Sequence, residues 1–240
     1  IIMRRYEGNL ENKVRDDSRV YRHTRYLNKR MEEPEDPHHI KQILHYAREM
    51  LKGVRDFHQV YKRAHGDLKK DNFLVDKKGN IHLGDFGSAT VASVKTGNPR
   101  DNIGPIAIRA PELFEEDSHP TRSSDYYSIT NEILDLMTGR HLLDDELNKE
   151  SNPEQYIRNL SEKDHESVKK KRTRNLPEEF GTFKRFFKKG LSYDPEERFY
   201  SDDEMVSEFE KAVESMNTIS VAAKYAKRLA IPTLALGTML

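Results

Sequence analysis

The chain contains no cysteine, which excludes a disulfide framework and any cysteine-based metal site. The absence suits a reducing compartment, and a cytoplasmic protein is the expectation. Net charge is also missing, because 41 Lys and Arg offset 41 Asp and Glu. No global basic field therefore points to nucleic acid, which is not an expected partner. No charged-then-apolar leader opens the chain. The apolar run at residues 231–240 falls well short of the roughly twenty residues a membrane span needs, so a membrane partner is not expected from this segment. Internal repeats are lacking as well. The first residue is Ile1 rather than Met, and the expectation is a segment of a longer protein. At 240 residues it fits one domain, or one large lobe with appendages. Charged residues make up 34% and mean hydropathy is −0.89, the polarity that long solvated helices produce.

What is present centres on Ala64-His65-Gly66-Asp67-Leu68-Lys69-Lys70-Asp71-Asn72-Phe73-Leu74-Val75, followed by Leu83-Gly84-Asp85-Phe86-Gly87. A polar loop runs into a short apolar strand. A turn at Lys77–Asn80 reverses the chain, and Ile81-His82-Leu83 forms a second strand that delivers Asp85 at its end. One hairpin thus carries Asp67, Asn72 and Asp85. Oxygen ligands gathered this way suit a hard cation such as Mg²⁺ shared with substrate phosphates.

Around this hairpin the pattern is helical. Ile1-Ile2-Met3 reads as a last strand and residues 4–9 as a connector. Residues 11–37 read as charged and irregular, ending in Pro34 and Pro37. Ile40, Ile43, Leu44, Ala47, Met50, Leu51, Val54 and Phe57 recur at helical spacing, predicting an amphipathic helix of about five or six turns. His39, His45 and His58 lie on or near it without metal-ligand spacing, so structural or solvent-facing roles are expected. Residues 88–109 read as a mobile loop by composition. Ser124 to Met137 is apolar nearly all round, predicting a buried helix that stops at Thr138-Gly139. The basic run Lys169–Arg172 reads as a solvated face. Phe180, Phe183, Phe186, Phe187 and Leu191 mark a further helix. Ser201-Asp202-Asp203-Glu204 reads as an N-cap with acids in the first turn.

His65-Gly66-Asp67-Leu68-Lys69-x-x-Asn72 resembles the catalytic loop of eukaryotic-type protein kinases of the Ser/Thr kind, and Asp85-Phe86-Gly87 resembles their metal-binding motif. Ala110-Pro111-Glu112, Asp125-Tyr126-Tyr127-Ser128 and Asp194-Pro195-x-x-Arg198 resemble later motifs of that family, in the same order. The resemblance covers residues 1–217, with 218–240 as a helix or linker tail. It implies a mainly α fold: the helical large lobe of the protein kinase-like fold, with a small β-hairpin carrying the catalytic and metal-binding loops. The small N-terminal lobe is absent from the segment, which has no Gly-rich phosphate loop, strand lysine or partner Glu helix.

The implied activity is transfer of the γ-phosphate of ATP to a Ser or Thr hydroxyl of a protein substrate. Asp67 would orient the hydroxyl and Lys69 would reach the phosphoryl group. Asn72 and Asp85 would hold Mg²⁺, with Mn²⁺ as a substitute. Met3, Arg4, Arg5 and Tyr6 match the adenine-side connector by position. His65, Phe86, Gly87, Glu112, Asp125 and Arg198 are implied as structural support, with Glu112 and Arg198 as a buried ion pair. The other implied partner is the chain's own small lobe, without which the segment is expected to transfer phosphate slowly or not at all. Gly66 stands where the family usually has Arg, so activity is expected without activation-loop phosphorylation. Pro105 and Ile108 depart from the usual acceptor-reading loop. Two alternatives stay open: a small-molecule kinase of the aminoglycoside or choline type, which also spells the loop His-Gly-Asp, and a pseudokinase binding module.

Overall fold

The computed structural model describes residues 8–16, 37–85 and 106–229. The readings for Ile1 to Tyr6, for Phe86 and Gly87, and for the loop as far as Pro105 lie outside them. The described fold is mostly helical, with one three-stranded antiparallel sheet. Helix α2 (Pro37–Tyr61) is longer than the periodic stretch that predicts it. Proline at its start lacks only an N–H that would be unbonded there anyway. Its stripe of Ile43, Leu44, Ala47, Met50, Leu51, Val54 and Phe57 is buried. Burial of each such side chain contributes about 1.5–3 kcal/mol.

The hairpin forms as the sequence predicts. Strands β2 (Phe73–Val75) and β3 (Ile81–Leu83) pair with Phe73 opposite Leu83 and Val75 opposite Ile81. The turn between them is closed by Gly79 N donating to Asp76 O at 2.9 Å, while the Asp76 carboxylate accepts from Lys78 N and Asn80 N. Residues near the start depart from the expected connector and irregular stretch. Gly8–Asn9 forms a strand, β1, paired with β2, and Leu10–Asp16 forms helix α1. A two-residue strand is too short to show alternation, and α1 is anchored by one fully buried side chain, Leu10, rather than by a periodic face. The Asn9 side chain accepts from Asn12 N at 3.0 Å and so caps its first turn.

The centre of the molecule is helix α3 (Arg122–Thr138), capped by reciprocal hydrogen bonds between Thr121 and Ser124 and stopping at Gly139. Its buried residues include the polar Ser124, Asp125, Asn131 and Glu132, each held by a partner rather than by water. Short helices α4 (Asp144–Leu147) and α5 (Pro153–Arg158) lead to α6 (Glu162–Arg174). The basic run on α6 is not uniformly solvated: Lys169 is only 3% exposed, with its ammonium 2.5 Å from Glu166. A lysine stem is long enough to lie in apolar surroundings while its charge reaches a carboxylate.

The phenylalanine stretch is two segments rather than one helix, a 3-10 turn over Glu178–Phe183 and helix α7 (Lys184–Gly190). Spacing of three serves either geometry, so periodicity does not separate them. Phe183 and Phe186 meet Phe209 at 5.2 and 5.6 Å between ring centroids. Phe209 belongs to α8 (Asp202–Leu229), whose first turn is capped by Ser201 accepting from Glu204 N. The expected boundary at 217 falls inside this helix. No helix among the described residues is long and apolar enough to cross a membrane.

Helix α7 crosses α3 at Gly190, where an added Cβ would collide with Thr130 Oγ1 and lie 2.8 Å from Phe199 Cε2. Thr130 is fully buried and donates to Tyr126 O, so it cannot swing away. Gly190→Ala is expected to destabilise the fold by about 1–3 kcal/mol. A lowered urea midpoint with unchanged slope would show it.

Candidate active site

The site begins at the first turn of α3, where Asp125 is 1% exposed. Its Oδ2 accepts from His65 N at 2.6 Å and its Oδ1 from Gly66 N at 2.9 Å. The same carboxylate meets His58 Nε2 at 2.8 Å, and His58 Nδ1 meets Asp202 Oδ1 at 2.5 Å. Two carboxylates therefore grip both nitrogens of one fully buried ring. Burial opposes the charge on His58, but the hydrogen bonds from Asp125 and Asp202 outweigh it and push the imidazole up to about 8. Helices α2, α3 and α8 are thus joined by a protonated histidine beneath the loop.

His65 is held the other way. Burial pushes its pKa down, and a neutral ring has one donor and one acceptor. Its Nε2 faces Gly84 O at 3.1 Å, a carbonyl that can only accept. Nδ1 is then the acceptor for Asp67 N at 3.4 Å. The ring also meets Phe57 edge-on at 5.0 Å. One side chain in this way ties the residue before Asp85 to the backbone of Asp67. Gly66, between them, has φ of 81°, and a Cβ there would lie 3.0 Å from Pro120 Cγ. Glycine at this position serves the backbone, because an L side chain would be strained at that φ.

Asp67 is 7% exposed. Its Oδ2 accepts from Asn72 Nδ2 at 3.0 Å and lies 2.9 Å from Lys69 Nζ. Its Oδ1 is buried with no hydrogen-bond partner among the described residues. Asn72, on a 3-10 turn over Lys70–Asn72, directs its amide nitrogen at Asp67 twice, to Oδ2 and to the backbone O at 2.7 Å. The atom it has left to offer is the carbonyl oxygen Oδ1. Asn72 O accepts from Gly84 N at 2.7 Å, which brings the end of β3 against this turn. Asp85 follows, exposed, with φ of 53°. A left-handed backbone at a non-glycine residue costs of order 1–3 kcal/mol and is characteristic of functional positions. Asp67, Lys69, Asn72 and the Gly84–Asp85 corner are therefore gathered in one place. Met3, Arg4, Arg5, Tyr6, Phe86 and Gly87 lie outside the described residues.

Beside the loop, Arg198 forms a two-pronged pair with Glu112 at 2.7 and 2.8 Å. The guanidinium also donates to Ser192 O, Ser123 O and Tyr193 O and lies 5.0 Å from the Tyr127 ring centroid. The pair fixes the 3-10 turn Pro111–Phe114 to α3. Asn131 secures the preceding segment, donating to Ala107 O at 2.9 Å and accepting from Leu142 N at 2.8 Å. Ile108 is buried, which accounts for an aliphatic residue there. The bracing by Asp202 and Asn131 was not visible in the sequence, where each reads as an ordinary polar residue of a helix.

In chemical terms the cluster offers a buried carboxylate oxygen without a partner, an ammonium next to it, and two further oxygen donors at its rim. Such a set can orient a hydroxyl and neutralise phosphate charge. The donors fit a hard divalent cation, since Asn72 Oδ1 and the exposed Asp85 carboxylate are both oxygen ligands.

A family model described as the protein kinase domain matches residues 11–209. Among curated proteins the chain is similar to serine/threonine-protein kinase CHK1 of Saccharomyces cerevisiae, 33% identical over 99 residues, 40% of this chain and 19% of that protein. It is also similar to serine/threonine-protein kinase PrkC of Bacillus subtilis, 32% identical over 111 residues, 46% of this chain and 17% of that protein. A third is cyclin-dependent kinase C-2 of Oryza sativa subsp. japonica, 31% identical over 105 residues, 43% of this chain and 20% of that protein. The chain thus spans no more than about a fifth of the length of these relatives in the matched stretches.

The His58 arrangement sets a pH dependence. Its folded pKa, about 8, lies above the ordinary 6.5. The stabilisation is therefore fully present below about pH 6.5 and is lost as pH rises through 8. The raised value corresponds to about 2 kcal/mol. Urea unfolding at pH 6 and pH 9 should show this loss in the wild type, and His58→Gln should shrink the difference by about that amount, leaving the part that belongs to His141, whose pKa is raised to about 10.

Proposed function

The chain belongs to the protein kinase domain family, and from that premise we propose that it is the large helical lobe of an ATP-dependent kinase acting on Ser or Thr hydroxyls of proteins. The observation that carries this reading is the buried Oδ1 of Asp67, which has no hydrogen-bond partner among the described residues, beside an Asn72 whose amide nitrogen faces inward. A buried carboxylate oxygen left open in an otherwise satisfied loop is positioned for a group that arrives from outside.

In this reading the acceptor hydroxyl donates to Asp67 Oδ1, which holds it in line and takes its proton as the oxygen attacks. Lys69, 2.9 Å from the other oxygen of Asp67, presents a positive charge to the transferred phosphoryl group. Asn72 and Asp85 would hold Mg²⁺, which would supply charge neutralisation for the phosphates. His65 keeps the Asp67 backbone and the Gly84 carbonyl in fixed relation, so the two halves of the site stay aligned. The Glu112–Arg198 pair supports the protein-acceptor reading over small alcohols, because it fixes the Pro111–Phe114 turn to α3, and Arg109 just before that turn feels the charge of Asp67. The elements that would cover the nucleotide belong to a small lobe, proposed as this chain's partner within the full-length polypeptide.

The test is phosphate transfer by the full-length polypeptide from labelled ATP with Mg²⁺, to protein acceptors and to small alcohols. Transfer to protein Ser or Thr is expected, with Asp67→Asn lowering kcat by about 10²–10⁴-fold. Asp85→Asn should raise the Mg²⁺ concentration needed for half-maximal rate. Transfer to small alcohols alone, or wild-type turnover equal to that of Asp67→Asn, would overturn the reading.

A further inference from the structure

Lys70 has no role in the site as described, yet it is the best-enclosed lysine near it. Its ammonium forms an ion pair with Asp135 and lies 3.3 Å from Glu11 and 3.7 Å from Glu132. Its backbone N also donates to Glu132 Oε1 at 3.3 Å. Glu132 and Asp135 are one turn apart on α3 and face the same way. Glu132 is only 1% exposed, and its Oε2 has no hydrogen bond among the described residues. His141 stands on the far side, its Nε2 3.6 Å from that same oxygen and its Nδ1 3.6 Å from Asp144. Burial opposes the charge on both cations, but the surrounding carboxylates raise both pKa values, that of His141 to about 10.

Ligand atoms of Glu132, Asp135 and His141 lie within 4.8 Å of one another, close enough for a divalent ion. The Lys70 ammonium already stands among the carboxylates, so the socket holds a cation supplied by the chain itself. That cation is on the turn that carries Asn72. We propose that Lys70 is a positioning residue for phosphoryl transfer: by filling the carboxylate socket of α3 it clamps the Lys70–Asn72 turn and holds Asn72 against Asp67.

The consequence reaches both ends of the turn. Asn72 N donates to Lys69 O at 2.9 Å, and Gly84 N donates to Asn72 O. If the ammonium is lost, the Asp135 carboxylate loses the cation paired with it while His141 still stands beside Glu132, and the turn keeps only its backbone hydrogen bond to the helix among the described residues. The part of this inference that concerns rate rests on the proposed role of Asn72 as a magnesium ligand. The part that concerns the clamp does not.

The experiment uses the full-length polypeptide and three variants: Lys70→Met, Lys70→Arg, and Lys70→Met combined with Glu132→Gln and Asp135→Asn. The combined variant removes the unpaired charge and leaves an oxygen on residue 132 for the Lys70 backbone N–H. Amide hydrogen exchange at Asn72 and Gly84 is read alongside the melting midpoint, kcat and the Mg²⁺ requirement. Lys70→Met should speed exchange at both amides by about tenfold or more, lower kcat and raise the Mg²⁺ requirement. Lys70→Arg should stay near wild type in all four. The combined variant should recover the midpoint but keep fast exchange and low kcat, and it decides the matter alone if Lys70→Met does not fold. Recovery of exchange protection and kcat together with the midpoint would overturn the proposal, because Lys70 would then be a counter-ion only. Fast exchange with unchanged kcat would overturn it too. A wild type without turnover would instead remove the phosphotransfer reading while leaving the clamp measured by exchange.

Discussion

One buried carboxylate organises the molecule. Asp125 accepts the N–H groups of His65 and Gly66 and binds His58, so the loop before Asp67 is hung from the first turn of the central helix. Two adjacent N–H groups pointing at one carboxylate require the backbone to turn, which is why a glycine at φ of 81° follows the histidine. Charge-assisted hydrogen bonds of this kind are roughly twice as strong as neutral ones. In a dry setting, leaving them unmade costs more than making them gains. The loop therefore has one strongly preferred shape before any ligand arrives.

That anchoring explains how a polar loop can be both buried and incomplete. Nearly every group near Asp67 is answered from within the protein: His65 by Gly84, Asn72 by Asp67, Lys69 by Asp67. The open Oδ1 of Asp67 is thereby singled out by its surroundings. Asp85 has a left-handed backbone at the corner where the end of β3 exposes its carboxylate. Rigid support from Asp125, Glu112–Arg198 and Asn131 lies on the helical side.

Much of this was legible in the sequence, and for identifiable reasons. Helices α2 and α3 declared themselves because their burial is carried by apolar side chains at regular intervals, and the hairpin because turn residues separate two apolar triplets. The pairing of Glu112 with Arg198 was available only through the resemblance of ordered motifs, since no local signal links residues so far apart. Strand β1 and helix α1 escaped because a two-residue strand and a helix held by Leu10 leave no period to detect. The buried Lys169 and the Lys70 socket escaped for a different reason: a lysine in a basic run looks solvated until its carboxylate is found on another turn or another helix. Asp202 is the clearest case. As an acid in a helix's first turn it satisfies a local rule, yet it also reaches His58, and only the tertiary fold brings those two together.

The central claim is that Asp125 shapes the loop before Asp67 from below. It is tested most directly by amide hydrogen exchange at His65 and Gly66 in Asp125→Asn, a change that keeps the volume but turns one acceptor into a donor. The account predicts that at least one of the two amides loses its protection, while the neighbourhood of Glu112 and Arg198 keeps its own. Wild-type protection at His65 and Gly66 in that variant would contradict it.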